Sequence, residues 1–191
     1  MSQANAGITP EELSRIGAIL QGHFLLTSGR HSAVYFEKFR LLERPEVLIR
    51  AVSTMLAPFR EMPIEGVVGP TLGGVIVAYE AARQLGVRAF YAEREGEARV
   101  FRRDGAPERG MHLLVVDDVL TTGGSIREVL QLLQPYAVQV TGIGVLIDRS
   151  EHTPLFGCPL AAALCLPAES YPPEECPLCQ QGIPLTKRGS R

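Results

Sequence analysis

Apolar positions along the chain switch periodicity at about residue 64. Before it the pattern is helical or mixed. Thr9, Pro10 and Glu12 form an N-cap, a first-position proline and a capping-box acid, and Leu13, Ile16, Ile19 and Leu20 follow at helical spacing. Phe24 to Phe39 reads as short strand-like pieces around a Ser28-Gly29-Arg30 turn. A second helix starts at Pro45, carries Val47, Leu48, Ala51, Val52 and Met55, and stops before Pro58. After residue 64, short unbroken apolar runs alternate with helices. The runs are Gly66–Gly69, Val87–Ala92, Leu113–Asp117, Val138–Ile147 and Leu160–Leu166, and the helices are Gly73–Leu85 and Ser125–Leu133. Unbroken runs fit strands buried on both faces, and their alternation with helices predicts βαβ units and a parallel sheet. Residues 93–111 are charged and carry Gly96, Gly105 and Gly110 with a weak strand at Ala98–Phe101, which predicts a mobile hairpin outside that sheet. The segment after Pro167 reads as irregular.

Composition narrows the class. The 191 residues are 46% apolar and 21% charged with a formal net charge of −2, as expected for one globular α/β domain over 1–191. That charge gives no general attraction to nucleic acid or to an anionic membrane. No apolar run is long enough to span a bilayer and Met1–Gly7 has no signal-peptide pattern, so a cytoplasmic location is expected. Of 19 basic residues only Lys38 and Lys187 are lysines. Arginine forks suit phosphate and carboxylate ligands.

The segment Leu113-Leu-Val-Val-Asp-Asp-Val-Leu-Thr-Thr-Gly-Gly-Ser125 carries the chemistry. A buried strand ends in two carboxylates, Asp117 and Asp118, and a loop of small residues then opens a helix. Ligands in open parallel sheets bind beyond the carboxyl ends of the strands. Small residues let backbone N–H groups close around an anion at a helix N-terminus, with Thr and Ser hydroxyls as further donors. Adjacent acids repel a phosphate but accept hydrogen bonds from a vicinal diol. Phosphate and diol together describe a ribose 5-phosphate. The plainer alternative is a strand–turn–helix with two solvated aspartates. The segment lacks the Gly-Lys-Ser/Thr ending of a P-loop and the Gly-x-Gly-x-x-Gly of a dinucleotide turn.

This segment closely resembles the phosphoribosyl-pyrophosphate (PRPP) signature of type I phosphoribosyltransferases. Nearly the whole chain resembles the orotate phosphoribosyltransferase family through Gly22–Ser32, Val68–Gly74, Glu93-Arg94, Asp148-Arg149 and Gly182–Arg191. The resemblance implies a central parallel sheet flanked by helices, a small N-terminal hood (1–60), a lid hairpin (93–111) and an irregular tail (168–191). It implies transfer of the phosphoribosyl group from PRPP to orotate, with Mg2+ carried mainly by PRPP and no metal bound by the protein's own residues. It also implies a homodimer with shared active sites, and no nucleic-acid or membrane partner.

By resemblance, Asp117 and Asp118 hold the ribose hydroxyls, while Val119, Leu120, Thr121, Thr122, Gly123, Gly124 and Ser125 hold the 5′-phosphate. Thr71, Leu72 and Gly73 meet pyrophosphate in a loop expected to carry a cis bond at Thr71–Leu72. Arg94 is the catalytic lid cation, with Arg99, Arg102 and Arg103 as further candidates. Arg149, Thr121, Tyr35 and Phe36 contact orotate. Two family lysines are replaced, by Thr27 and Gly73, and the family's lid pattern of lysines followed by a histidine is missing, which leaves the identity of the lid cation open. The alternatives are a phosphoribosyltransferase for a purine or uracil, to which Arg149 would offer little, and a non-catalytic PRPP-sensing regulator. The four cysteines, Cys158, Cys165, Cys176 and Cys179, read as buried apolar residues plus a loop pair, or as a four-thiolate zinc site.

Overall fold

The computed structural model describes residues 7–26, 28–150, 152, 154–167 and 169–188. A six-stranded sheet forms the body. Its strands are β3 (Gly66–Pro70), β4 (Arg88–Glu95), β5 (Ala98–Val100), β6 (His112–Leu120), β7 (Gln139–Asp148) and β8 (Leu160–Cys165), ordered β5-β4-β3-β6-β7-β8. All neighbours run parallel except β4 and β5, which form an antiparallel hairpin. Helices α3 (Pro45–Leu56) and α4 (Gly73–Leu85) pack on one face and α5 (Gly124–Leu133) on the other. Alternate residues of one strand serve opposite cores. Val67, Leu114 and Val116 join the α3/α4 core, while Val68, Leu113 and Val115 join the α5 core. Two-sided burial is why these strands read as continuous apolar runs.

A second sheet of four strands makes the hood. It pairs β1 (Ile19–Leu25) antiparallel with β2 (His31–Phe36) and is flanked by β10 (Thr186–Lys187) and β9 (Ser170–Tyr171). The first helix, α1 (Pro10–Arg15), has the expected cap, with the Glu12 amide donating to Thr9 Oγ1 at 3.2 Å. It ends before Ile19 and Leu20, which lie in β1 and not in the helix. Gly17, at φ +76°, turns the chain out of the helix there.

Two further expectations are corrected. The hairpin expected outside the sheet extends its β4 edge, with Glu93, Arg94 and Glu95 paired to Val100, Arg99 and Ala98. The tail read as irregular supplies both outer hood strands and a short helix, α6 (Pro177–Gln180). Arg30 anchors it from the hood, donating to Ser170 Oγ at 2.7 Å and to the Ser170 carbonyl. Ser32 donates to the Glu169 carbonyl at 2.9 Å.

Candidate active site

Three loops open on the same sheet end, the βα junctions after β3 and β6 and the connection from β7 to β8. Strand alternation sends the two aspartates of β6 to different sides. Asp118 follows the Leu114 and Val116 face toward the start of α4, where a Cβ on Gly73 would stand 1.6 Å from Asp118 Oδ2. Only glycine lets α4 begin this close to the acid. Lys38, between β2 and α2 (Phe39–Leu42), pairs with Asp118 Oδ2 at 2.7 Å. Asp117 takes the other side and lines a cavity of about 260 Å³ with Val119, Leu120 and Thr121–Ser125. Both carboxylates are buried. Burial, followed by repulsion from Asp118, pushes the Asp117 carboxyl up to about 7, against the opposing pull of the Asp118 amide, Lys38 and Arg99.

The cavity floor is the Thr121–Ser125 loop. Gly123 is left-handed at φ +79° and serves as the N-cap of α5. The left-handed backbone favours glycine, and a Cβ there would stand 2.7 Å from the tip of the Phe156 ring and push it aside. Arg127 braces the loop from α5, donating to the Thr122 carbonyl at 2.7 Å while its guanidinium lies over the Phe156 ring. The free N–H groups of the first α5 turn and the hydroxyls of Thr121, Thr122 and Ser125 make this end an anion receptor.

The β3–α4 loop contains the expected cis peptide, Thr71–Leu72. Arg99, nearly buried, reaches this loop from β5 and donates to Thr71 Oγ1 at 3.1 Å and to the Ala92 carbonyl at 3.2 Å. Its Nε donates to Glu128 Oε2 at 2.9 Å, and Arg94 reaches the same oxygen at 2.6 Å. Burial alone would push the Glu128 carboxyl up, but the hydrogen bonds from Arg99 and Arg94 outweigh it and hold the group below its ordinary value. Arg94, the expected lid cation, is thus paired to Glu128 of α5, which also lines the Asp117 cavity, whereas Arg99 touches the β3–α4 loop. Arg102 pairs with Glu95 on the exposed hairpin.

Arg149 follows β7. Its amide donates to the Leu120 carbonyl at 2.8 Å, tying the ends of β6 and β7 together. Its guanidinium crosses to the hood and donates to the Val34 carbonyl on β2 at 3.3 Å. Burial lowers its pKa from the ordinary arginine value, with Tyr35 opposing. Tyr35 therefore shares this wall, its own pKa raised by burial and then by Glu37. Phe36 lies on the other side of β2 in the main core and does not face this wall.

The match to known proteins follows this geometry. Residues 64–155 match the model of the phosphoribosyl transferase domain. The orotate phosphoribosyltransferase of Pelotomaculum thermopropionicum is 46% identical over 177 residues, covering 93% of each chain. That of Desulforamulus reducens is 42% identical over 178 residues, again 93% of each. The chain belongs to the orotate phosphoribosyltransferase family. A solved orotate phosphoribosyltransferase from Aeropyrum pernix superposes with a TM-score of 0.71 at 31% identity, over 82% of this chain and 92% of that one.

Within this orotate phosphoribosyltransferase fold, the structure brings together Asp117, Asp118, Thr121–Ser125, Thr71–Gly73 and Arg149. Sequence reasoning missed Lys38 and Glu128. Lys38 carries a signal in retrospect, being one of two lysines in the chain and three residues past Tyr35. Glu128 looks like any solvated acid on an amphipathic helix. Thr27, one of the two positions where a family lysine is replaced, lies outside the described residues. At the other, Gly73, the contact with Asp118 leaves no room for a side chain.

Proposed function

We propose that the chain transfers the 5-phosphoribosyl group from PRPP to orotate, forming orotidine 5′-monophosphate and pyrophosphate. The observation that carries this reading is the buried Asp117–Asp118 pair set directly before an amide-rich loop at one sheet end. As pyrophosphate leaves, positive charge grows on the ribose, so the sugar side needs negative groups and the leaving group needs positive ones. Asp117 accepts the ribose hydroxyls from the cavity wall, and Asp118 is held in place by Lys38 and supports it. The amides and hydroxyls of Thr121–Ser125 grip the 5′-phosphate. Thr71, Leu72 and Gly73 receive the pyrophosphate, with Arg99 fixing their loop and Arg94 available to swing from Glu128. Arg149 pairs with the orotate carboxylate, beside Tyr35 and Thr121.

Mg2+ fits this arrangement as an ion that arrives with its substrate. Asp118 is paired to Lys38 and Glu128 to Arg94 and Arg99, which leaves Asp117 as the unpaired acid among the described residues lining the cavity, too few oxygen ligands for an all-protein Mg2+ cage. When bound with PRPP, the ion neutralises charge on the leaving pyrophosphate.

The active unit is a homodimer. Leu72, just before α4, and Tyr79, within it, are exposed large apolar side chains, suited to cover by a second copy. No helix of the described residues is long and apolar enough to cross a membrane, in keeping with a cytoplasmic enzyme.

The test is a panel of orotate, uracil, adenine and hypoxanthine with PRPP and Mg2+. Orotate should be consumed with stoichiometric pyrophosphate while the other three are not. Consumption of a neutral base at a comparable rate would refute the assignment of orotate.

A further inference from the structure

Away from the cleft, four side chains of metal-ligating type converge where the tail crosses the hood. They are His23 on β1, His31 on β2, and Cys176 and Cys179 around α6, with ligand atoms all within 4.8 Å of one another. His23 Nε2 lies 3.0 Å from His31 Nδ1, 3.5 Å from Cys176 Sγ and 3.7 Å from Cys179 Sγ. Cys179 Sγ lies 3.3 Å from His31 Nδ1. Zinc bonds of about 2.3 Å to sulfur and 2.0 Å to nitrogen, arranged tetrahedrally, place neighbouring donors about 3.3–3.8 Å apart. The observed separations scatter around those edges. We propose that these four residues bind one Zn2+ in a closed, structural Cys2His2 site that clips the tail to the hood.

Three features favour an ion over a set of mutual hydrogen bonds. The first is the His23 tautomer. His23 Nδ1 lies 2.7 Å from the Ile183 carbonyl, which can only accept. In the neutral ring the proton is therefore on Nδ1, and Nε2 turns a lone pair into the cluster, the usual outer hydrogen bond of a metal-bound histidine. The second is the backbone. Pairing between β1 and β2 shifts between Gln21 and Phe24, so consecutive residues His23 and Phe24 are both buried. Regular alternation would turn one of them outward; the bulge re-aims His23 toward the tail while Phe24 packs against Tyr35. The third is composition. The donors are two imidazoles and two thiols without a carboxylate, a set that selects zinc over magnesium or calcium. His23, His31 and Cys176 are almost wholly buried, and four protein donors leave no open position for a substrate.

The ligand set differs from an all-cysteine site. Cys158 and Cys165 belong to the β8 segment and stand outside the cluster. The Cys-x-x-Cys half of the site is one knuckle, and its partners come from a hairpin about 150 residues earlier in the chain. The clip has a mechanical purpose. The outer hood strands β9 and β10 are two residues each, too short to hold the tail by pairing alone. The same hood carries Tyr35 and the Val34 carbonyl that orients Arg149.

Elemental analysis of the untagged full chain, purified under reducing conditions, tests the site without reference to substrate. About one zinc per chain is expected, and Co2+ exchanged for it should give thiolate-to-cobalt charge-transfer absorption with tetrahedral d–d bands. Cys179→Ser and His31→Ala should each lose most of the metal, while Cys158→Ser and Cys165→Ser keep it. Should those two variants fail to fold, the unaltered protein still decides. Cys176 and Cys179 should resist alkylation until a chelator is added, and the melting temperature should fall on chelation and recover with zinc. Folded protein holding under about a tenth of an equivalent of metal and giving no cobalt spectrum would overturn the proposal. A Cys176–Cys179 disulfide, or full metal content in Cys179→Ser, would overturn it equally.

Discussion

Replacing Asp117 and Asp118 together by asparagine should lower kcat/KM for PRPP by about 10³-fold or more while leaving a folded protein. The pair supplies negative charge where positive charge develops, and removing one preorganised group of this kind costs about 10²–10³-fold. Stability should move the other way. Asp117 is held at about 7, above the ordinary 3.8, chiefly by burial and then by Asp118. A group whose folded pKa exceeds its unfolded value binds more protons when folded, so it destabilises the fold progressively as pH rises from about 4 to 7. Asp117→Asn alone should therefore flatten the pH dependence of the melting temperature over that window. At pH 8 it should melt above the unaltered protein by a few degrees, roughly the effect of 1 kcal/mol or more on a chain of this size. Thermal scans at pH 5 and pH 8 check this, and an Asp117→Asn protein less stable at pH 8 would mean the acid is held by a cation stronger than Lys38.

Arg149→Ala should raise KM for orotate by about 30-fold or more and change KM for PRPP by less than about threefold, since truncating one partner of a buried charge pair costs about 2–5 kcal/mol. The basis is placement. Arg149 leaves β7 beside the Leu120 carbonyl, crosses to Val34 and shares its wall with Tyr35, on the opposite side of β6 from the Arg99–Thr71 contact. Initial-rate kinetics with each substrate varied in turn separate the two effects, and equal losses would put Arg149 in the shared machinery instead of the base site.

Much of the body was legible because its signals are local. Pro45, the glycines opening α4 and the apolar runs of β3, β6 and β7 each mark an element without reference to distant residues. The acid pair and loop were legible for the same reason, being one continuous segment whose chemistry follows from residue type. The hood was not. Ile19 and Leu20 continue the helical spacing of Leu13 and Ile16, and only the left-handed Gly17 ends α1 before them. The tail gained its order from pairing with strands about 140 residues earlier, which no local pattern announces. Lys38 beside Asp118 and the histidines beside Cys176 and Cys179 share that origin, since single residues meet there through topology. Phe36 marks a different limit, because in a strand with one face on the core a pocket aromatic and a core aromatic differ only by parity.

The structure of the chain bound to orotidine 5′-monophosphate tests the central claim most directly. The 5′-phosphate should rest on the Thr121–Ser125 amides, the ribose hydroxyls on Asp117, and the base carboxylate on Arg149. A phosphate bound elsewhere, with the loop after β6 empty and Asp117 turned from the sugar, would contradict it.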